Sequence, residues 1–414
     1  MKKIFSFVVL ALALTCPARA AEFKASVYSE SGYAPLSENS ALNPDNRYGL
    51  ERFRFYNRGS LTAKNSFNEY INGLITLEGL YIPDDYFPDR RSLTQLKVKE
   101  LCVDVRMTGV TARIGKQYIK WGGGTFFNPS SDILNHRRDP LRPLVEAEGN
   151  RFAHILAPLN SAITAELVVL QSDEHGPRPK DVEDWAVVPK LSFSFESLSG
   201  FLLAEMQPDA GPLYGTSLEY VCASGEFSDL ALFVESQLKT STKRYEIEPG
   251  AYGPAAKKES GDSFFLLVAG ARIQHSFAEA GWIDGISLLA EYYFDTENWE
   301  HEDYRKYIKS LRDSRGSVHT AVLSAGESFK NSRDYIYGAV LLNSVCMRDL
   351  SVLNGAVVNL QDSSFIWIPD VYYTFASQNA TVGLRSYCFF GGGRSEFGSS
   401  PLQYQLMAYL ELFF

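Results

Sequence analysis

Apolar and polar residues alternate along most of the chain that follows residue 20. The alternation is clearest in residues 71–81, 100–107, 190–196 and 286–294, where every second side chain is apolar or glycine and many of the others are polar. Successive side chains of a β-strand point to opposite faces, so each segment predicts a strand with one apolar and one mixed polar face. The chain is therefore predicted to consist mainly of strands.

Clusters of glycine, serine, asparagine and aspartate separate these strands into an alternation of short turns and long loops. Together they predict an antiparallel sheet of about 18 strands, with about 16 as the alternative count, whose two chain ends lie on the same side. Short turns on one side and long loops on the other are typical of bacterial outer-membrane barrels. The predicted short turns are 58–66, 108–109, 160–161, 199–200, 224–225, 278–281, 347–349 and 377–379. The predicted long loops are 29–47, 82–95, 120–149, 172–183, 208–214, 240–263, 296–333, 361–364 and 390–402.

The strand count depends on segments that break the alternation. Residues 317–323 are either an additional strand or part of the loop 296–333. Pro189 and Pro369 fall in or beside strand patterns, and proline lacks the N–H group that a central strand donates to its neighbour. We therefore predict a bulge or a strand end at each proline.

One helix is predicted, within the loop 296–333. Across residues 299–315, Tyr304, Ile308 and Leu311 recur at helical spacing among many charged residues. This pattern predicts a helix on the surface of the loop.

The polar face of the strands decides between a soluble sandwich and a membrane barrel. It carries Asp104, Arg106, Lys190, Glu235 and Arg272. A soluble sandwich would hide roughly half of its strand residues in a dry core, where such charges are costly. A barrel can turn its apolar faces to lipid and its polar faces to a wet interior, and its closure pairs every backbone N–H and C=O group. The predicted fold is an all-β, transmembrane, antiparallel up-and-down β-barrel.

The chain ends in a strand whose apolar face continues to the last residue. Tyr409, Leu412 and Phe414 resemble the C-terminal signal that the barrel-assembly machinery reads, in which an aromatic residue is followed by two spaced hydrophobic residues. Met407 departs from that signal, which has a polar residue at this position. The resemblance implies assembly into an outer membrane. The apolar face comprises Tyr404, Leu406, Ala408, Leu410, Leu412 and Phe414.

The most distinctive segment of the sequence is 115–140. Its motifs are Gly115-Lys116-Gln117, Trp121-Gly122, Asn128-Pro129 and Asp139-Pro140. These motifs, in this order, resemble a segment found in a group of Gram-negative outer-membrane porin-like β-barrels. The resemblance covers this segment alone, and it implies an outer-membrane barrel without indicating the solute.

The first 20 residues predict an export signal that is removed. A basic start, an apolar stretch over 4–14 and the small–x–small sequence at 18–20 form this pattern. Lipidation of Cys16 is a less favoured alternative, because the preceding Leu14 and Thr15 are not the small residues that lipid attachment favours. Residues 21–414 are then predicted to form a single barrel domain in a bacterial outer membrane.

Charge and hydropathy exclude two classes of protein. The formal net charge is −9 and the pI is near 5.3, whereas a nucleic-acid binder needs a basic face. The longest apolar run after residue 20 is 264–271, and a membrane-spanning helix needs about 20 apolar residues.

The cysteines of the mature chain are Cys102, Cys222, Cys346 and Cys388. They are widely spaced, and each lies in or beside a predicted strand. Unpaired thiols in the barrel wall are favoured, with one or two disulfides as the alternative in an oxidising compartment.

Charged residues on the polar faces are candidates for lining a pore. The alternation that turns Phe53 toward lipid directs Arg52 and Arg54 into the lumen. The same alternation directs Arg106 and Arg113 inward. We predict that the loop 120–149 either caps the barrel or folds inward, where its carboxylates would oppose this basic wall across a constriction and create a transverse field. The alternative is that these charges pair with one another as structural ion pairs. The charged candidates in the loop are Arg137, Arg138, Asp139, Arg142, Glu146 and Glu148.

No catalytic, metal or cofactor motif is evident in the sequence. The histidines are dispersed, no HExxH or GxSxG pattern occurs, and neither glycine run (122–124 and 391–393) is followed by the Lys-Ser/Thr of a phosphate-binding loop. We therefore expect no enzyme, no metal and no cofactor.

These patterns favour a channel that lets small hydrophilic solutes diffuse passively through the outer membrane. The alternatives are a transporter for hydrophobic compounds, plugged by residues 29–47, and a surface adhesin or structural barrel. The expected partners are outer-membrane lipid and lipopolysaccharide, the barrel-assembly machinery and small solutes, but not nucleic acid. Self-association into a homo-oligomer is left open.

Overall fold

The fold is taken from a computed structural model of the chain. The described residues are 21–37, 40, 42, 52–82, 93–134, 150–172, 184–207, 210–222, 230–240, 245–250, 253–258, 263–277, 282–313, 331–375 and 379–414. The predicted export signal 1–20, the turns 224–225 and 278–281, and the segment 317–323 lie outside these residues.

Nearly all regular structure is β-strand. The only helices among the described residues are α1 (Pro129–Asp132) and α2 (His301–Asp313), and neither is long and apolar enough to cross a membrane. The strands are β1 (Ala21–Tyr33), β2 (Phe53–Ser66), β3 (Ile71–Ile82), β4 (Leu93–Met107), β5 (Val110–Gln117), β6 (Asn150–Pro158), β7 (Ile163–Ser172), β8 (Asp184–Phe195), β9 (Leu198–Gln207), β10 (Ala210–Cys222), β11 (Leu230–Lys239), β12 (Tyr245–Gly250), β13 (Gly253–Lys258), β14 (Phe264–Ser276), β15 (Gly285–Asp295), β16 (Asp334–Asn343), β17 (Leu350–Asn359), β18 (Phe365–Thr374), β19 (Ala380–Phe390) and β20 (Tyr404–Phe413).

The strands form a closed antiparallel barrel. Each strand pairs with its neighbour in sequence, except that β12 and β13 form a separate hairpin within the loop 240–263, so that β11 pairs with β14. The first strand pairs with both β2 and β20, which closes the sheet. The barrel contains 18 strands, which confirms the preferred count.

Several predicted connections were placed wrongly by a few residues. The turn predicted at 58–66 is part of β2, and the connection lies at 67–70. The turn predicted at 199–200 lies at 196–197, and residues 210–214 of the long loop predicted at 208–214 belong to β10. Glycine and serine inside strands caused these errors, because their turn preference is outweighed by the ladder of hydrogen bonds on both sides.

The prolines are accommodated without a bulge or a strand end, so that prediction was wrong. Pro189 lies inside β8 and Pro369 inside β18. In each case the ladder to the next strand lacks the proline and the residue before it, and pairing resumes in the same register. The observed register shifts lie elsewhere, at 76–77 between β3 and β4 and at 210–213 between β9 and β10.

The two faces of the sheet have opposite character. The outer face exposes large apolar side chains, for example Leu96 at 79%, Leu202 at 56% and Leu384 at 56%. A water-soluble monomer rarely exposes a continuous apolar surface of this extent, whereas lipid accommodates it. The inner face carries most of the charged side chains of the strands, which confirms the predicted inside–outside alternation.

The predicted helix is α2, and its apolar face packs inward. Tyr304 and Ile308 are buried, together with Tyr307, which the sequence pattern did not single out. The side chain of Leu311 lies outside the described part of the helix. All four described cysteines are free thiols, as the favoured alternative predicted.

Candidate functional site

The connection that follows β5 runs into the barrel rather than over it. We call residues 118–134 the inward loop. Trp121 contacts Phe201 of β9, with ring centroids 6.2 Å apart, and Phe126 stacks on Tyr337 of β16 at 4.1 Å. Strands β5 and β16 lie far apart around the barrel, so the loop must cross the lumen to make both contacts. Of the two arrangements predicted for the loop 120–149, its described residues show the inward one.

Two parts of the distinctive segment 115–140, Trp121-Gly122 and Asn128-Pro129, lie in the inward loop and shape it. Gly122 adopts a left-handed backbone with φ of +78°, which favours glycine, and a Cβ there would overlap the carboxylate of Glu235. Asn128 caps α1 by accepting a hydrogen bond from the Ser131 N–H at 2.9 Å. The Ser131 hydroxyl donates to the carbonyl of Trp121 at 2.8 Å, which closes the loop on itself. The motif therefore encodes the compact shape of this loop.

Two buried carboxylates of the opposite wall hold the loop. Glu235 on β11 accepts hydrogen bonds from the Gly124 N–H at 2.9 Å and from the Ser130 hydroxyl at 2.6 Å. Glu291 on β15 accepts from the N–H groups of Thr125 at 2.6 Å, Phe126 at 3.0 Å and Phe127 at 2.8 Å. Glu235 is 0% exposed and Glu291 is 1% exposed.

Neither glutamate stands out in the amino-acid sequence. Glu235 appeared only as one of the charges on the polar faces, and Glu291 as one polar residue of an alternating strand. Both glutamates lie more than 100 positions away from the inward loop in the sequence. Only closure of the barrel brings the loop and the two carboxylates together.

A second connection supports the same wall. The loop 391–403 places Phe397 against Tyr335, with ring centroids 6.2 Å apart, and Tyr335 also contacts Phe127 of the inward loop. Glu396 of this loop is fully enclosed, and its burial raises the pKa of the carboxyl to about 7. It accepts hydrogen bonds from the Tyr335 hydroxyl at 2.6 Å and from the Ser332 hydroxyl at 2.9 Å.

This barrel is similar to solved structures of bacterial barrel proteins. OccAB1 of Acinetobacter baumannii matches with a TM-score of 0.61 at 10% identity, over 97% of this chain and 98% of that chain. Pseudomonas aeruginosa OccK2 (OpdF) in complex with glucuronate matches at 0.59 and 10% identity, over 96% and 98%. A BenF-like porin from Pseudomonas fluorescens Pf-5 matches at 0.59 and 11% identity, over 96% and 99%. No protein-family model and no curated protein matches the sequence. The chain has the fold of these 18-stranded barrels.

Between β2 and β15, the described lumen-facing charges form a basic and an acidic wall. On β2–β5 the cations outnumber the carboxylates, and on β7–β15 the carboxylates outnumber the cations. The charged residues of the first wall are Arg58, Lys64, Glu78, Lys97, Lys99, Glu100, Asp104, Arg106 and Arg113. Those of the second are Glu166, Lys190, Glu205, Glu219, Glu235, Lys239, Arg272, Glu291 and Asp295.

The arginines predicted from the sequence lie at different heights along the basic wall. Arg52 is exposed and immediately precedes β2 at the end with the long loops. Arg106 is exposed beside the short turn 108–109, at the opposite end of the barrel. Arg113 pairs with Asp104 through both nitrogens of its fork, including Nη2 to Oδ2 at 2.8 Å. Arg113 is thus engaged in an ion pair, which resembles the structural pairing considered as the alternative to a basic constriction wall.

The pore role of all the predicted residues stays a prediction, and several of their side chains lie outside the described ones. Arg54 lies in β2, but its side chain is not described. The charged residues of the outer part of loop 120–149 lie outside the described residues. These are Arg137, Arg138, Asp139, Arg142, Glu146 and Glu148. Their place at a constriction stays a prediction.

Cations that the sequence analysis did not select occupy the middle of the walls. Arg58 and Lys99 share Glu78, with nitrogen–oxygen distances of 3.7 and 3.6 Å. On the other wall, Lys190 pairs with Glu166 at 2.7 Å and lies 4.4 Å from the ring centre of Trp121. Lys190 therefore supports the start of the inward loop by a cation–π contact.

The C-terminal residues lie on both faces of β20. Leu412 belongs to the outer, lipid-facing side, as predicted for that apolar face, and Phe414 directly follows β20 and is exposed. Tyr409 points inward and is buried, and its hydroxyl donates to Asp370 at 3.1 Å. Their role in barrel assembly stays a prediction.

The long loop and plug predicted at 29–47 begin too early, because residues 29–33 belong to β1 and pair with β2 and β20. Described residues after β1 lie against loop 391–403. The Ser37 N–H donates to the carbonyl of Pro401 at 2.8 Å, and the Ser40 hydroxyl donates to the carbonyl of Ser399 at 2.7 Å. Residues 43–47 of that segment lie outside the described residues. In the described parts of the chain, no group of three or more His, Cys, Asp or Glu residues is placed to hold a metal ion.

Proposed function

We propose that the protein is an outer-membrane channel through which small hydrophilic solutes diffuse passively. The observation that carries this proposal is a closed barrel with 18 strands, lipid-facing outside and charged inside, crossed by one loop anchored on the far wall. Barrels of this size leave an aqueous interior, and an inward loop narrows that interior to molecular dimensions.

Solvent access to the lumen supports the proposal. Arg113 and Arg272 face inward from different walls. Their side chains are 39% and 41% exposed to solvent, respectively. Water-accessible charges inside a barrel favour polar solutes over hydrophobic ones.

The apolar outer surface favours outer-membrane lipid as the surrounding medium, with lipopolysaccharide around the long loops. The predicted export signal 1–20 and the C-terminal strand favour delivery by secretion followed by the barrel-assembly machinery. Homo-oligomer formation is compatible with this arrangement. The inside–outside pattern and the similarity to a structure named as a porin support transport rather than catalysis.

Planar-bilayer recording of the purified, detergent-folded protein tests the proposal. We expect discrete conductance steps that disappear when the protein is heat-denatured before addition. Liposome swelling with neutral sugars and with glucuronate would then compare solute classes, because one similar structure contains glucuronate. A folded protein that gives neither conductance steps nor swelling would contradict the proposal and favour an adhesin or structural barrel.

A further inference from the structure

Four consecutive backbone N–H groups of the inward loop point at carboxylates of the opposite wall. The N–H of Gly124 donates to Glu235, and those of Thr125, Phe126 and Phe127 donate to Glu291. Successive N–H groups that converge in this way form an anion-binding concavity, called a nest. Here the occupant of the nest is a side chain of the barrel itself.

The Glu291 carboxylate is the main polar contact between the tip of the loop and the wall. Beside it, the Gly124 N–H donates to Glu235, and the rings of Phe126 and Phe127 contact tyrosines of the wall, among them Tyr337 and Tyr293. Without the carboxylate, three N–H groups at this interface would lack their partner, and such groups are costly to bury. The loop would therefore leave the wall to reach water.

We propose that residues 125–127, whose three N–H groups converge on one carboxylate, form a carboxylate-binding nest, and that Glu291, as its built-in occupant, sets the width of the channel by holding the inward loop across the lumen. This inference rests on the proposed channel function and identifies Glu291 as a positioning residue. It acts through the loop, without contact to the solute.

The variant Glu291→Ala empties the nest and leaves a space that matches acetate, because the substitution removes the terminal carboxylate together with one methylene group. In chloride electrolyte, we expect its single-channel conductance to exceed that of the wild type by about twofold, the order expected when a loop no longer obstructs the lumen. In acetate electrolyte of equal ionic strength, we expect the ratio of variant to wild-type conductance to fall back toward one. A purely structural role of Glu291 would not respond to acetate.

Two further variants make the test specific. Glu302→Gln removes an exposed carboxylate of α2 that has no contact with the loop, and it should keep the wild-type conductance in both electrolytes. Thr125→Pro removes one N–H from the loop and leaves every strand unchanged, so it should fold even if Glu291→Ala does not. We expect it to raise the conductance without full rescue by acetate. Heat-modifiable migration on gels confirms folding of each variant.

The outcomes separate the two proposals. A folded wild type without conductance overturns the channel function. A conducting wild type together with unchanged conductance in Glu291→Ala and Thr125→Pro overturns the role of Glu291 in holding the inward loop. If Glu291→Ala raises the conductance and acetate does not lower it again, the loop residues do not bind a carboxylate as proposed.

Discussion

Gly383 makes room for a tyrosine ring at the place where the first and last strands meet. Gly383 on β19 lies opposite Tyr409 on β20, and a Cβ at Gly383 would overlap the tyrosine ring. The ring also lies against Tyr28 of β1, at 5.9 Å between centroids. The missing side chain thus lets one tyrosine connect β19, β20 and β1 across the seam between the two ends of the chain.

The substitution Gly383→Ala is expected to destabilise this seam. Overpacking in a closely packed site costs about 1–3 kcal/mol, so the free energy of unfolding should fall by that amount. The matched control is Gly338→Ala on β16, where a Cβ meets no atom within 4 Å. Urea unfolding in lipid vesicles, followed by tryptophan fluorescence, measures both variants. Equal stability of the two would contradict the packing role of Gly383.

The neighbouring ion pair is a second test at the residue scale. Arg385 donates to Asp370 from Nε at 2.9 Å, and the two side chains are 8% and 1% exposed. Removing one partner leaves a buried charge, so Asp370→Leu should cost about 3–5 kcal/mol of unfolding free energy.

The double variant Asp370→Leu with Arg385→Met is expected to be more stable than Asp370→Leu alone, because it removes both charges. The same urea titration compares them. A double variant less stable than the single one would show that Arg385 contributes through contacts other than this pair.

Single residues were the least predictable level of the structure. The alternation correctly placed Arg113 on the inner face, but its partner Asp104 follows from the register between β4 and β5. Glu291 has the same local pattern as many other lumen residues, and its role comes from a loop more than 160 positions away in the chain. Periodicity specifies a face, and only pairing specifies a contact.

At the scale of elements, loop 391–403 contains a carboxyl that responds to pH. The pKa of Glu396 rises from an ordinary value near 4.5 to about 7 mainly because burial disfavours its charged form, and hydrogen bonds from Tyr335 and Asn331 oppose the rise only in part. The docked loop therefore binds a proton more tightly than the released loop does. Its stability is greatest below pH 4.5 and is lost as the pH rises through 7.

We expect the docked state of the loop to lose up to about 3 kcal/mol between pH 4 and pH 8. Hydrogen exchange of the amides in 395–399, corrected for intrinsic rates, measures this as a falling protection factor. Glu396→Gln should abolish the pH dependence, since the amide does not titrate in this range. A protection factor that rises with pH in the wild type would contradict the prediction.

Strands were predictable as elements, whereas their exact ends were not. The segments 100–107 of β4 and 286–294 of β15 follow from the alternation of their residues, because each faces lipid on one side and water on the other. The end of β2 was misjudged because Gly59 and Ser60 resemble a turn locally, although both lie in paired register with β3. The same paired neighbours hold Pro189 and Pro369 in extended strands.

At the scale of the whole molecule, the basic and acidic walls create an asymmetric lumen. The pair Arg113–Asp104 is an accessible part of the basic wall, and its members can be neutralised one at a time. Arg113→Gln leaves an unpaired carboxylate and should shift the channel toward cation selectivity. Asp104→Asn leaves an unpaired guanidinium and should shift it toward anion selectivity.

Reversal potentials in a salt gradient measure these shifts, and the double variant should restore selectivity close to the wild type. If neither single variant moves the reversal potential, the pair lies outside the path of the ions. If the double variant is also shifted strongly toward cations, Arg113 contributes to the field beyond its ion pair.

The sequence by itself determined the class of fold, the inner and outer faces and the strand count, because lipid outside and water inside impose a period of two on every strand. It also marked the glycine-rich segment after β5 as distinctive. The tertiary structure alone decided that this segment crosses the lumen, that Glu235 and Glu291 receive it, and that Tyr409 connects the two ends of the chain. These contacts join residues far apart in sequence, and they exist only once closure of the sheet has brought distant strands to face one another.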